Sequence, residues 1–118
     1  MLTIEFYKNE RGEMPVKAYI DSLDVKRRAK VLRTIGLLKK NGKFLKEPES
    51  KYLEDGILEL RSKVGNDLSR ILFFYCEGNK AVLTNGFTKK QQKTPRTQIE
   101  KAKRYRADYL SREVKSNG

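Results

Sequence analysis

Four cations, Arg61, Arg70, Lys89 and Lys90, each stand at or next to a segment patterned as a β-strand. A guanidinium is permanently charged and makes paired hydrogen bonds that match a phosphate, whereas a lysine supplies a point charge. A lysine whose pKa is lowered by neighbouring cations can also act as base or acid. Chemistry open to such a set includes cleavage of RNA through its own 2′-hydroxyl. That reaction needs a proton removed from the 2′-OH, stabilisation of charge on the phosphorane, and a proton returned to the leaving 5′-oxygen. Clustered Arg and Lys stabilise the charge without a metal. Arg61, Arg70, Lys89 and Lys90 are therefore the candidate catalytic residues. Lys63 and Lys93 add phosphate contacts, Lys93 with an acid role as a second use, while Tyr75 and Phe87 offer rings for stacking on bases. Proton transfer is left open among Lys, Tyr and Glu.

Each residue also has a plainer use. Arg70 can pair with Glu59 or Asp67 at the sheet surface, where such a pair is worth little. Glu59 suits an ion pair better than a base. Phe73 and Phe74 read as core, and Phe87 fits either core or site. Tyr105 and Tyr109 suit the packing of the last helix, and Cys76 a small buried apolar site. Lys26-Arg27-Arg28 reads as a solvated helix face, with contact to RNA as its other use.

The elements that must position these groups are legible from periodicity. Leu2 to Tyr7 alternates, placing Leu2, Ile4 and Phe6 on one side of a strand. Pro15 opens a short helix with Val16, Tyr19, Ile20 and Leu23 on one face. Asp24 caps a longer helix to about Lys40, whose expected buried stripe is Val25, Ala29, Leu32, Ile35 and Leu38 and whose stop is Asn41-Gly42. Residues 43 to 56 read as irregular, with Pro48 and Gly56 as breakers. Three strands follow, Ile57 to Lys63, Ser69 to Tyr75 and Ala81 to Phe87, joined by short turns into an antiparallel meander. By period two, Glu59, Arg61 and Lys63 share one face of the first. A last helix begins near Thr94-Pro95, with Thr94 as a cap or Thr97 and Glu100 as a capping box. Ile99, Ala102, Arg106 and Tyr109 line its packed side, and the tail after Leu110 is expected to fray. The expected class is α+β in the order β-α-α-β-β-β-α, with the helices packed on an antiparallel-rich sheet.

Composition narrows the partners. The chain has 118 residues, the size of one domain, and 37% are hydrophobic. A formal net charge of +12 makes an anionic partner the leading expectation, nucleic acid first and an acidic protein second. Histidine is absent and cysteine occurs once, which argues against a transition-metal site and leaves no cofactor expected. The start of the sequence has neither a basic n-region nor a long apolar segment, so a cytoplasmic location is expected.

The run Gly86-Phe87-Thr88-Lys89-Lys90-Gln91-Gln92-Lys93-Thr94-Pro95, followed by an Ala-containing basic helix, resembles the C-terminal signature of HigB toxins of the phage-derived type. These belong to the RelE/ParE superfamily of type II toxin–antitoxin systems. The resemblance extends to Leu58-Glu59-Leu60-Arg61 and Arg70-Ile71-Leu72-Phe73-Phe74-Tyr75, and with Phe6-Tyr7 and the helical segment before residue 42 covers essentially the whole chain. It implies a RelE-like fold and a ribosome-dependent mRNA endonuclease needing no metal. Basic residues of the central strands would act on mRNA in the ribosomal A site, at positions matching Arg61, Arg70 and Lys89-Lys90. Glu59 stands where other members carry a Lys. The catalytic histidines of some HigB proteins and the C-terminal Tyr of RelE have no counterpart here. The implied partner is a HigA-like helix-turn-helix antitoxin, whose complex with the toxin would bind operator DNA. A ParE-like inhibitor of DNA gyrase and a non-catalytic nucleic-acid-binding module are the alternatives. Substitution of Arg70 or of Lys90 by Ala is expected to relieve toxicity with the fold intact.

Overall fold

The structure, a computed structural model, describes residues 2–89 and 93–117, with side chains through Glu113. Its elements run β1 (Thr3–Phe6), α1 (Pro15–Ser22), α2 (Val25–Asn41), a 3-10 turn (Gly42–Phe44), β2 (Ser50–Glu54), β3 (Ile57–Val64), β4 (Asp67–Cys76), β5 (Lys80–Lys89) and α3 (Arg96–Asn117). This is an α+β fold. The five strands form one mixed sheet in the order β1-β5-β4-β3-β2, with β1 parallel to β5 and the other pairs antiparallel. The arrangement is consistent with a RelE-like fold.

Helices cover both faces. On one, α1 and α2 bring Val16, Ile20, Val31, Ile35 and Leu38 onto Leu60, Ile71, Phe73 and Leu83. On the other, α3 brings Ala102 and Tyr109 onto Ile57, Leu72, Phe74, Val82 and Phe87. Double coverage explains the near-continuous apolar run of β4, since a central strand buried on both faces has no polar side to show. In β5 the register slips opposite Leu72 and Phe73, which face Asn85 and Leu83. The extra residue, Thr84, donates its hydroxyl to the Leu72 carbonyl at 3.0 Å. This bulge is why Val82 and Phe87, an odd number of residues apart, both reach the α3 face.

Several expected features are corrected. A segment expected to be irregular contains β2, an edge strand with a bulge between Tyr52 and Glu54. The buried stripe of α2 is Val31, Thr34, Ile35 and Leu38, whereas Val25 and Leu32 are 78% and 50% exposed. Thr34 tolerates burial because its hydroxyl donates to the Lys30 carbonyl at 2.9 Å. The last helix continues past Leu110 to Asn117. Asp24 caps α2 as expected, accepting from the Arg27 amide at 2.8 Å, and Gly42 ends it at φ 55°.

Candidate functional site

Strand parity builds the site. Arg61 and Arg70 are direct partners across β3 and β4, and Phe87 is the partner of Arg70 across β4 and β5. All three therefore face α3, together with Glu59, two residues before Arg61. Like charges placed directly opposite repel, and the pair persists because a carboxylate sits with it. Arg61 Nε donates to Glu59 Oε1 at 2.6 Å, and Arg70 Nη1 lies 3.4 Å from Glu59 Oε2 and 3.4 Å from Thr94 Oγ1. The Thr94 hydroxyl donates to Glu59 Oε2. Glu59 and Arg70 are 0% exposed, and the Arg61 side chain is 14% exposed. Thr94 stands just before α3, so the cluster ties the start of that helix to the two strands. The expected cap at Thr94 is thus corrected: its hydroxyl serves Glu59, and Glu100 pairs with Arg96 at 2.7 Å.

Beside this cluster a cleft of about 620 Å³ opens between β2 and the start of α3, lined in part by Lys51, Tyr52, Lys89, Lys93, Thr94 and Arg96. Lys89 and Lys93 are exposed on its rim. The structure thus brings Arg61, Arg70, Phe87, Lys89 and Lys93 to one region. Phe87 is core, 8% exposed. Lys90 lies outside the described residues. Lys63, at the far end of β3, is exposed along a groove shared with α2. Tyr75 does not join the site. It is five residues beyond Arg70, so parity turns it to the α1–α2 face, where its ring meets Phe73 edge-on at 5.4 Å. Burial there pushes its hydroxyl pKa above the ordinary 10.0.

Two members of the region carried a signal in the sequence that pointed elsewhere. Thr94 reads as a helix cap, and only the fold shows it buried against Glu59. Gly86 reads as part of a basic loop signature, yet a side chain there would collide with the Tyr19 ring of α1. The Tyr19 hydroxyl shares a hydrogen bond of 2.6 Å with Thr88 Oγ1. Gly86 and Thr88 therefore dock α1 onto β5, leaving Lys89 and Lys93 beyond them exposed to solvent.

The cations of α3 are mostly neutralised. Arg96 and Lys103 both hold Glu54, the latter at 2.6 Å. Arg106 holds Asp55 at 2.9 Å and Arg112 holds Asp108 at 2.7 Å. Hydrogen bonds from Arg96 and then Lys103 pull the Glu54 carboxyl from the ordinary 4.5 down to about 2. Among the described residues, no group of three or more His, Cys, Asp or Glu could hold a metal ion, and no helix is long and apolar enough to cross a membrane.

The family model described as Phage derived protein Gp49-like (DUF891) matches residues 18–107. The chain belongs to this family. The Gp49-like family is a RelE/ParE-like toxin family, which places the chain with the toxins of toxin–antitoxin systems. The Gp49-like match runs from within α1 to within α3 and so takes in the buried cluster and the cleft. No curated protein matches the chain.

Proposed function

We propose that this Gp49-like chain is a HigB-type toxin: a ribosome-dependent endonuclease of translated mRNA, acting by 2′-OH attack in the cytoplasm and neutralised by a HigA-like helix-turn-helix antitoxin, whose complex with the toxin binds its operator DNA. The observation that carries this reading is that Lys89 and Lys93 line a cleft at Thr94, and Thr94 ties it to the buried Glu59–Arg70 contact that also holds Arg61. Arg61 and the two lysines have surface to offer a phosphate. Arg70 has none in this arrangement, and acts from beneath by holding Glu59, which in turn orients Arg61. The 2′-hydroxyl loses its proton to solvent as its oxygen attacks phosphorus, the bond to the 5′-oxygen breaks to leave a 2′,3′-cyclic phosphate, and the charge that builds on the non-bridging oxygens is met by the Arg61 guanidinium. Lys93, at the rim, is placed to return a proton to the departing 5′-oxygen.

The test is to induce the chain alone in bacteria and map the 5′ ends of cellular mRNA. New ends in phase with codons, confined to translated regions and abolished by Arg61→Ala, are expected. Growth arrest without such ends would reject the nuclease reading and favour inhibition of gyrase. Absence of arrest would favour a plain binding module.

A further inference from the structure

Part of the surplus charge of this chain lies away from its most basic stretch. The cations of α3 are largely engaged by Glu54, Asp55, Glu100 and Asp108. Among the described residues, Lys26, Lys30, Arg33 and Lys63 have no carboxylate in salt-bridge contact. All four are exposed and line one groove of about 430 Å³ between α2 and the second half of β3. The groove exists because β2 stops pairing at Leu60, leaving the rest of β3 without a neighbouring strand on that side among the described residues. It runs on into a cleft of about 350 Å³ that reaches Arg61. Nearby carboxylates weaken it little: Asp67 is held by Arg27 at 2.7 Å, and Glu49 lies at the Pro48 end.

On α2, positions 26, 30 and 33 follow the four-then-three spacing of one helix face, so the cations recur about every 5–6 Å along a rigid rod. Lys63 lines the same groove at the open edge of β3. Among the described residues, no aromatic ring or side-chain amide lines this groove. Without rings there is no platform for unstacked bases, and without amides there is little to read base edges. Such a surface recognises a phosphate backbone by shape and charge, the mode used for double-stranded RNA.

We propose that the groove between α2 and β3 is a docking surface for the phosphate backbone of double-stranded RNA, distinct from the cleft lined by Lys89 and Lys93. The choice of RNA rests on the reading of the chain as a ribosome-directed toxin; the surface itself rests on the geometry. It anchors the molecule on structured RNA while the cleft engages a single strand.

The test uses the full chain and a variant, Lys26→Gln, Lys30→Gln and Arg33→Gln together. Gln, Lys and Arg have similar helix propensities, and the positions are exposed, so circular dichroism and melting should match the parent. Binding to a fluorescein-labelled RNA duplex of roughly 16 base pairs is followed by anisotropy against salt. The slope of log K against log salt should fall by about 2–3, because each cation removed leaves one phosphate with its counterion. Lys63→Gln alone should lower it by about 1. An unchanged slope in both variants overturns the proposal. So does a parent chain that prefers a DNA duplex, or one in which the variant loses only binding to poly-glutamate, which would make the groove a surface for an acidic protein. Duplex binding through the groove, without codon-phased cleavage in cells, would reject the nuclease reading and leave this surface standing.

Discussion

Arg70 is held in the interior by its contacts with Glu59 and Thr94, and this decides how its substitution must be read. Truncation to Ala leaves a cavity at a fully buried position and takes one of two guanidiniums from Glu59, which keeps Arg61 and Thr94, so a loss of roughly 2–3 kcal/mol is expected. The expectation that Arg70→Ala spares the fold is therefore corrected: urea unfolding should show a lower midpoint, and Arg70→Lys should not restore it because the planar fork is absent. Parental stability of Arg70→Ala would mean that Arg61 and Thr94 alone satisfy Glu59 and that Arg70 is not part of a structural unit. Arg61→Ala, at a partly exposed side chain, should cost much less stability than Arg70→Ala and report on activity more cleanly. Gly86 makes a second case. A methyl group there meets the Tyr19 ring, so Gly86→Ala should destabilise by roughly 1–3 kcal/mol, as overpacking does. Tyr19→Ala combined with Gly86→Ala should fall well short of the sum of the single effects, because the two share one contact. Additive losses would place the strain elsewhere.

Among the elements, α3 carries the site, and its first turns are tied down by charge. Glu54 of β2 accepts from Arg96 and Lys103, which lowers its pKa to about 2 from the ordinary 4.5. A carboxyl depressed in the folded state contributes stability that is present above its unfolded value and lost as pH falls through the folded one. The contacts between α3 and β2 should thus weaken between about pH 4.5 and pH 2, and Glu54→Gln should flatten that limb of a pH–stability profile. A profile unchanged by Glu54→Gln would show that the start of α3 is held by the buried cluster alone. These tethers also explain what the sequence concealed. Residues 50 to 54 lack strict alternation, lie between Pro48 and Gly56, and leave Tyr52 59% exposed, so β2 is specified by its ladder to β3 and not by its own pattern. In α2 the apolar residues Val25 and Leu32 drew the expected stripe to the wrong side; the true face is chosen by the fit of Val31, Ile35 and Leu38 to the sheet and by the self-satisfied hydroxyl of Thr34. What was legible was local: the Asp24 cap, the Gly42 stop, the three long strands, and the common face of Glu59 and Arg61. What was not legible was the bulge at Thr84 and the second layer over the sheet, both products of long-range packing. Tyr75 was misplaced for that reason, since a sheet covered on both faces buries rings on either side.

At the scale of the molecule, the two faces of the sheet are unequal. The face under α1 and α2 is covered by two helices, whereas the face carrying the cluster and the cleft is covered by α3. Taking α3 away uncovers Leu72, Phe74, Val82 and Phe87, each buried in the intact chain. Burial of such a side chain is worth about 1.5–3 kcal/mol, so these four together are worth roughly 6–12 kcal/mol. That is the size of the whole stability of an ordinary domain, about 5–15 kcal/mol. A chain ending at Lys93 should consequently show no cooperative melt and should expose apolar surface to a dye. A synthetic peptide of residues 94–117 should restore the transition, with a midpoint that rises with peptide concentration, since it binds only the folded sheet. Restoration should fail when the peptide carries Tyr109→Ala, which removes a ring packed edge-on against Phe74 at 5.8 Å. A cooperative melt of the shortened chain without peptide would mean that the α1–α2 face alone organises the sheet. In that case the single helix over the cleft is a cover that can lift, and Arg70 would gain the access to solvent that its buried position denies it.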